Sequence, residues 1–86
     1  MKFFSFCKSF EKQYKKLNQK SKNKFKERLN LLLEDEFNPI LNNHSLNGKY
    51  EGYRSINING DMRAIYKVNA DNIIFTTIDN HNNLYK

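Results

Sequence analysis

Tyr53-Arg54-Ser55-Ile56-Asn57-Ile58-Asn59-Gly60-Asp61-Met62-Arg63-Ala64-Ile65-Tyr66-Lys67-Val68 reads as two strands around a turn. Alternating apolar residues mark 53–58 and 62–68 as strands, and Asn59-Gly60-Asp61 supplies the turn. The register follows from the side-chain pattern. A two-residue Asn59-Gly60 loop pairs Ile58 with Asp61 and Ile56 with Arg63, which mixes charge into the apolar face. A three-residue loop, 59–61, pairs Ile58 with Met62, Ile56 with Ala64, and Asn57 with Arg63. That sorts Ile56, Ile58, Met62, Ala64 and Tyr66 onto one face and Ser55, Asn57, Arg63 and Lys67 onto the other. The three-residue loop is therefore expected, with helices on the apolar face and the polar face left free for binding. Arg54 falls in the apolar phase and is expected to snorkel to the sheet edge.

Working outward, 73–78 is a third strand after a turn at 70–72, which completes an antiparallel meander. Upstream, 38–50 is rich in Asn, with Pro39 and Gly48, and reads as a loop. Before it the apolar period changes to 3.6. Phe10, Tyr14 and Leu17 mark one helix of about ten residues. Phe25, Leu29, Leu32 and Leu33, continued by Phe37, mark a second, with Ser21 as its expected N-cap. That helix must stop before Pro39. Residues 2–6, short and aromatic, read as a strand.

With 86 residues the chain suits one domain. Its single cysteine, Cys7, cannot form an internal disulfide, and a free, inert thiol fits a reducing cytosol. The apolar stretch at the N-terminus is too short for a signal peptide or a membrane span. A cytoplasmic protein with no membrane partner is expected. The net charge is +6, and nine of the fifteen basic residues lie within 8–28, opposed there only by Glu11 and Glu27. Such a face suits RNA, DNA or an acidic protein, although a lysine-rich helix face that is merely solvated has the same composition.

Few polar groups suit chemistry: His44 in the long loop, Asp61 at the hairpin tip, Arg63 on the polar face, and His81 past the last strand, with Lys49, Lys67 and Tyr85 nearby in sequence or phase. No Cys/His spacing suits a metal and no Gly-rich phosphate loop appears, so neither metal nor cofactor is expected. Two histidines, an aspartate and an arginine can run phosphodiester cleavage by proton transfer. A base takes the 2′-hydroxyl proton, a cation holds the phosphate, and an acid protonates the leaving oxygen. Solvated histidines and a turn-stabilising aspartate account for the same residues equally well.

The stretch Asn43-His44-Ser45-Leu46-Asn47-Gly48-Lys49-Tyr50-Glu51-Gly52-Tyr53-Arg54 resembles the H-x-L-x-G-x-x-x-G-x-R segment of the RelE superfamily of toxins, its YafQ branch in particular. Asp61-Met62-Arg63-Ala64-Ile65-Tyr66 resembles the D-x-R-x-I-Y strand, and His81-Asn82-Asn83-Leu84-Tyr85 the closing H-x-x-L-[FY]. Lys8-Ser9-Phe10-Glu11-Lys12 and Lys15-Lys16-Leu17 fit the first helix. The resemblance implies an α+β, RelE-like fold in residues 1–86: one N-terminal strand, two helices, then a three-stranded antiparallel meander forming one sheet with that strand. It implies the toxin of a type II toxin–antitoxin system, a ribosome-dependent mRNA endoribonuclease that needs no metal. The implied partners are a cognate antitoxin, docking on the apolar and basic surface of the helices, and the ribosome with its mRNA.

The resemblance also assigns residues. His44, Asp61, Arg63, His81 and Tyr85 match catalytic positions. His81 is the general acid or stabilises phosphate charge, Asp61 or His44 is the general base, Arg63 binds the phosphate, and Tyr85 stacks on a base. Lys49, Asn57, Lys67, Lys22, Lys24 and Lys26 are expected to contact RNA. Asn57 stands where YafQ proteins carry a strand histidine, and an amide cannot trade protons. Two alternatives stay open: a ParE-like toxin that binds DNA gyrase without chemistry, and an inactive member that only binds an antitoxin. The sequence leaves self-association undecided.

Overall fold

The computed structural model describes residues 3–84. Strand β1 (Phe3–Phe6) leads into helices α1 (Lys8–Lys15) and α2 (Gln19–Glu34). A 3-10 turn at Pro39–Leu41, a two-residue strand β2 (His44–Ser45) and a second 3-10 turn at Gly48–Tyr50 follow. Strands β3 (Arg54–Asn57), β4 (Met62–Asn69) and β5 (Asn72–Asn80) come next, and helix α3 (His81–Leu84) closes the described chain. The strands form one mixed sheet in the order β1-β5-β4-β3-β2, antiparallel throughout except where β1 pairs with β5.

The first hairpin has the expected register. Ile56 faces Ala64, Asn57 faces Arg63, and the Ile58 amide donates to the Met62 carbonyl at 2.9 Å. Asn59 closes the three-residue loop, its Oδ1 accepting the amides of Asp61 at 3.0 Å and Met62 at 2.8 Å. The second turn is tighter than expected. Asn69 pairs with Asn72, so only Ala70 and Asp71 turn the chain, with Ala70 at φ 56°.

Four further expectations need correction. The meander is only part of the sheet, because β2 extends it within the segment read as a loop, and α3 adds a third helix. The cap of α2 is Asn18, not Ser21: Asn18 Oδ1 accepts the Ser21 amide at 2.8 Å. Phe37 does not continue the α2 stripe, because the helix ends three residues earlier; its ring is 64% exposed. Finally, the polar face is not left fully free. Ser55 and Ile65 on that face are fully buried and Leu84 nearly so, as α3 packs against β5.

The core lies on the other face. Phe25, Leu29 and Leu32 of α2 and Phe10 of α1 pack on Ile56, Ile58, Ala64, Tyr66, Phe75 and Ile78. Phe25 meets Phe75 edge-on with centroids 5.2 Å apart, and Phe6 stacks on Phe10 at 5.0 Å. Each fully buried Phe contributes about 1.5–3 kcal/mol by leaving water. Past the end of β1, the open edge of β5 is covered by α1, where Gln13 Oε1 accepts the Ile78 amide at 3.1 Å. No described helix is long and apolar enough to cross a membrane.

Candidate active site

The cleft side of the sheet is set by the loop that carries His44. Arg54, in the apolar phase, is half-buried. Its Nε donates to Asn43 Oδ1 at 2.8 Å and its guanidinium lies 5.4 Å from the centre of the Phe37 ring. The Asn43 amide nitrogen donates in turn to the Tyr66 phenol oxygen at 2.7 Å and to the Glu36 carbonyl at 2.9 Å. This network anchors the chain one residue before His44. Burial raises the Tyr66 pKa above its usual value.

His44 then pairs with Ser55 across β2 and β3, on the face that carries Arg63. Asn42 takes the left-handed conformation, φ 46° and ψ 47°, which asparagine tolerates better than most residues. Its carbonyl oxygen lies 2.8 Å from His44 Nδ1. A carbonyl can only accept, so Nδ1 carries the hydrogen and neutral His44 presents Nε2 as a proton acceptor.

Arg63 is held from its own turn. Its Nη1 donates to the carbonyls of Asn59 at 3.1 Å, Gly60 at 3.4 Å and Met62 at 3.2 Å. These bonds among described residues all run through Nη1, so Nη2 and Nε can meet a ligand. His81 starts α3 at the same end of the sheet. Its amide donates to the Asp61 carbonyl at 2.8 Å, and Asn80 Oδ1 caps the short helix by accepting the Asn83 amide at 2.9 Å.

Asn42, His44, Leu46, Arg63 and His81 line a cleft of about 390 Å³. Three of the five expected catalytic residues thus meet. The Asp61 side chain is not among the lining groups; its part there is the backbone carbonyl that positions His81. Tyr85 lies outside the described residues. Asn57 is a neighbour of Arg63, and its Oδ1 is buried without a partner. Lys49 and Lys67 lie beyond the cleft, their Nζ atoms 5.2 Å from the Tyr50 ring centre and 5.8 Å from that of Tyr53. Lys22, Lys24 and Lys26 belong to α2, which packs on the opposite face. Lys22 sits over Tyr14, Lys24 pairs with Glu27 at 3.7 Å, and Lys26 borders an apolar groove. Among the described residues no three His, Cys, Asp or Glu side chains gather as a metal site requires.

Sequence reasoning missed Asn42 and Leu46. The signal for Asn42 was its place in the Asn42-Asn43 pair before His44, in a segment dense with residues that tolerate left-handed backbone. Leu46 offered none.

Comparison with known proteins places the chain. The structure of YafQ from E. coli superposes with a TM-score of 0.82 at 24% identity over the whole of both chains. The toxin in an E. coli DinJ-YafQ toxin-antitoxin complex gives 0.79 at 26%, covering 99% of this chain and 98% of that one. A chain of the YoeB-YefM complex from Staphylococcus aureus gives 0.78 at 24%, covering 94% and 98%. These likenesses establish a RelE-like fold. No curated protein sequence matches the chain. The family model of YafQ, bacterial toxins of type II toxin-antitoxin systems, matches residues 3–86. The chain therefore belongs to the YafQ family of type II toxins.

Proposed function

We propose that this toxin is an endoribonuclease that cuts mRNA on the ribosome by intramolecular attack of a 2′-hydroxyl, and that a cognate antitoxin restrains it. The observation that carries the reading is the meeting of His44, Arg63 and His81 around one cleft. His44 Nε2, left as the acceptor by the bond at Nδ1, takes the 2′-hydroxyl proton. The alkoxide attacks the adjacent phosphorus, the bond from phosphorus to the 5′-oxygen breaks, and His81 protonates that oxygen. The products are a 2′,3′-cyclic phosphate and a 5′-hydroxyl end. Arg63 neutralises charge on the non-bridging oxygens. The need for a 2′-hydroxyl restricts the reaction to RNA. This reading favours His44 over Asp61 as the base, and Tyr85 stacks on a base of the substrate.

Lys22, Lys24 and Lys26, on the far side of the sheet from the cleft, contact ribosomal RNA while mRNA occupies the cleft. The antitoxin covers the groove of about 440 Å³ formed by Phe4, Phe6, Phe10, Tyr14, Phe25 and Leu29 and bordered by Lys15 and Lys26. Support for such a partner comes from relatives solved as DinJ-YafQ and YoeB-YefM complexes.

Induced expression of the wild type and of His81→Ala, followed by mapping of mRNA 5′ ends, tests the reading. Codon-phased cuts bearing 5′-hydroxyls are expected from the wild type only. Cleavage by His81→Ala at the wild-type rate removes the assignment. Intact mRNA with damaged DNA points instead to gyrase.

A further inference from the structure

We propose that Tyr50 and Tyr53, with Lys49 and Lys67, form a second nucleotide subsite, where a base of the RNA flanking the scissile phosphate stacks. The proposal rests on the ribonuclease reading above and adds to it the path of the bound strand.

The register of β3 and β4 puts Arg54 opposite Tyr66 and Asn57 opposite Arg63. Continued by one residue, it brings Tyr53 opposite Lys67, on the face that holds Ser55, Asn57 and Arg63. The contact between Lys67 Nζ and the Tyr53 ring, at 5.8 Å, agrees independently. Tyr53 is continuous with the cleft, because its carbonyl accepts the amide of Leu46, a cleft-lining residue, at 3.0 Å. Tyr50 meets Tyr53 edge-on at 6.2 Å and 74°, and Lys49 lies over Tyr50 at 5.2 Å. The result is an aromatic pair flanked by two cations. Among the described residues neither lysine is paired with a carboxylate.

The spacing suits a single strand of RNA. Arg63 and Lys67 are four residues apart on β4, about 13 Å at the rise of an extended strand. A strand whose scissile phosphate sits at Arg63 reaches Tyr53 and Lys67 only with a flanking nucleotide. There Lys67 meets a backbone phosphate and Tyr53, braced edge-on by Tyr50, stacks with the base. Stacking of this kind accepts any base, and phosphate contacts make it salt-sensitive. A tyrosine pair serving only to pack the sheet needs neither cation. The subsite holds substrate without touching the reacting atoms, so it acts on affinity rather than on the chemical step.

Tyr53→Trp tests the proposal, because the chain has no tryptophan and the larger ring still stacks. The ligands are 2′-O-methyl oligonucleotides, which cannot be cut, of roughly three and roughly eight nucleotides. Tryptophan emission is expected to fall with the longer oligonucleotide and not with the shorter. Tyr53→Leu and Lys67→Gln are expected to bind the longer one at least about fivefold more weakly, with unchanged affinity for the shorter. If Tyr53→Trp shows no length-dependent quenching, or Tyr53→Leu binds the longer oligonucleotide as the wild type does, the subsite falls while the ribonuclease reading stands. If the wild type binds neither oligonucleotide and cuts no RNA, both fall.

Discussion

The side-chain amide of Asn43 donates to the phenol oxygen of Tyr66 at 2.7 Å, tying the loop that carries His44 to the middle strand of the sheet. Tyr66 is fully buried, with Asn43 and Arg54 as its polar partners, so loss of Asn43 leaves its hydroxyl poorly satisfied in the core. Asn43→Ala is expected to lower stability by about 1–3 kcal/mol. Tyr66→Phe, which removes the hydroxyl itself, is expected to cost less, and the double variant little more than Asn43→Ala alone. Chemical denaturation of the four proteins checks this; additive effects would show that the bond is not made.

The same tyrosine sets an alkaline limit. Its folded-state pKa is raised by burial, so above about pH 10 the unfolded chain gives up this proton more readily than the folded one. The stability Tyr66 contributes is full below that pH and is lost as pH rises towards the folded-state value. Unfolding midpoints between about pH 8 and 11 should fall more steeply for the wild type than for Tyr66→Phe.

Arg63 is anchored through one nitrogen, which leaves the others for the proposed phosphate contact. A lysine there keeps the charge but loses the planar fork. Arg63→Lys is expected to reduce the cleavage rate by about tenfold or more with an unchanged unfolding midpoint. An unimpaired Arg63→Lys would mean that only the charge at this position matters.

Asn57 has an orphaned buried oxygen beside Arg63. Asn57→His therefore removes no hydrogen bond from that oxygen among the described residues and brings a titratable ring to the cleft side of the sheet. Its pH–rate profile is expected to differ in shape from that of the wild type, because a third imidazole then titrates beside His44 and His81. A superimposable profile would place residue 57 outside the proton-transfer path.

In the groove between β1 and the helices, Phe6 is 38% exposed and stacks on Phe10. Phe6→Glu is expected to weaken antitoxin binding by about tenfold or more while leaving RNA cleavage by the free toxin intact. Titration calorimetry with the antitoxin and a cleavage assay separate the two effects.

What could be read from the sequence varied with the length of the signal. The first hairpin was legible because alternation runs through both Ser55–Ile58 and Met62–Lys67, and one residue of slip would have buried Arg63. Strand β2 was not, since His44 and Ser45 show no period in two residues; only their pairing with β3 makes them a strand. Helix α3 was hidden in His81-Asn82-Asn83-Leu84, where asparagines signal a turn as readily as a capped helix. Asn18 and Ser21 are both good caps, and Gln19 and Lys20 between them carry no apolar phase to decide. In the site, His44, Arg63 and His81 stood out as the few polar groups suited to chemistry, and family resemblance assigned their roles. Asn42 was not, because it acts through a backbone carbonyl, which every residue type has.

The parallel pairing of β1 with β5 has a consequence for how this toxin comes into being. Phe3 is matched with Asn72, so the first of the described strands waits for the last of them. Contacts so distant along the chain are slow to form. His44, Arg63 and His81 are likewise drawn from the middle and the end. A fragment that stops short of His81 holds no finished cleft, so an emerging chain lacks whatever activity the cleft confers until β5 and α3 are made.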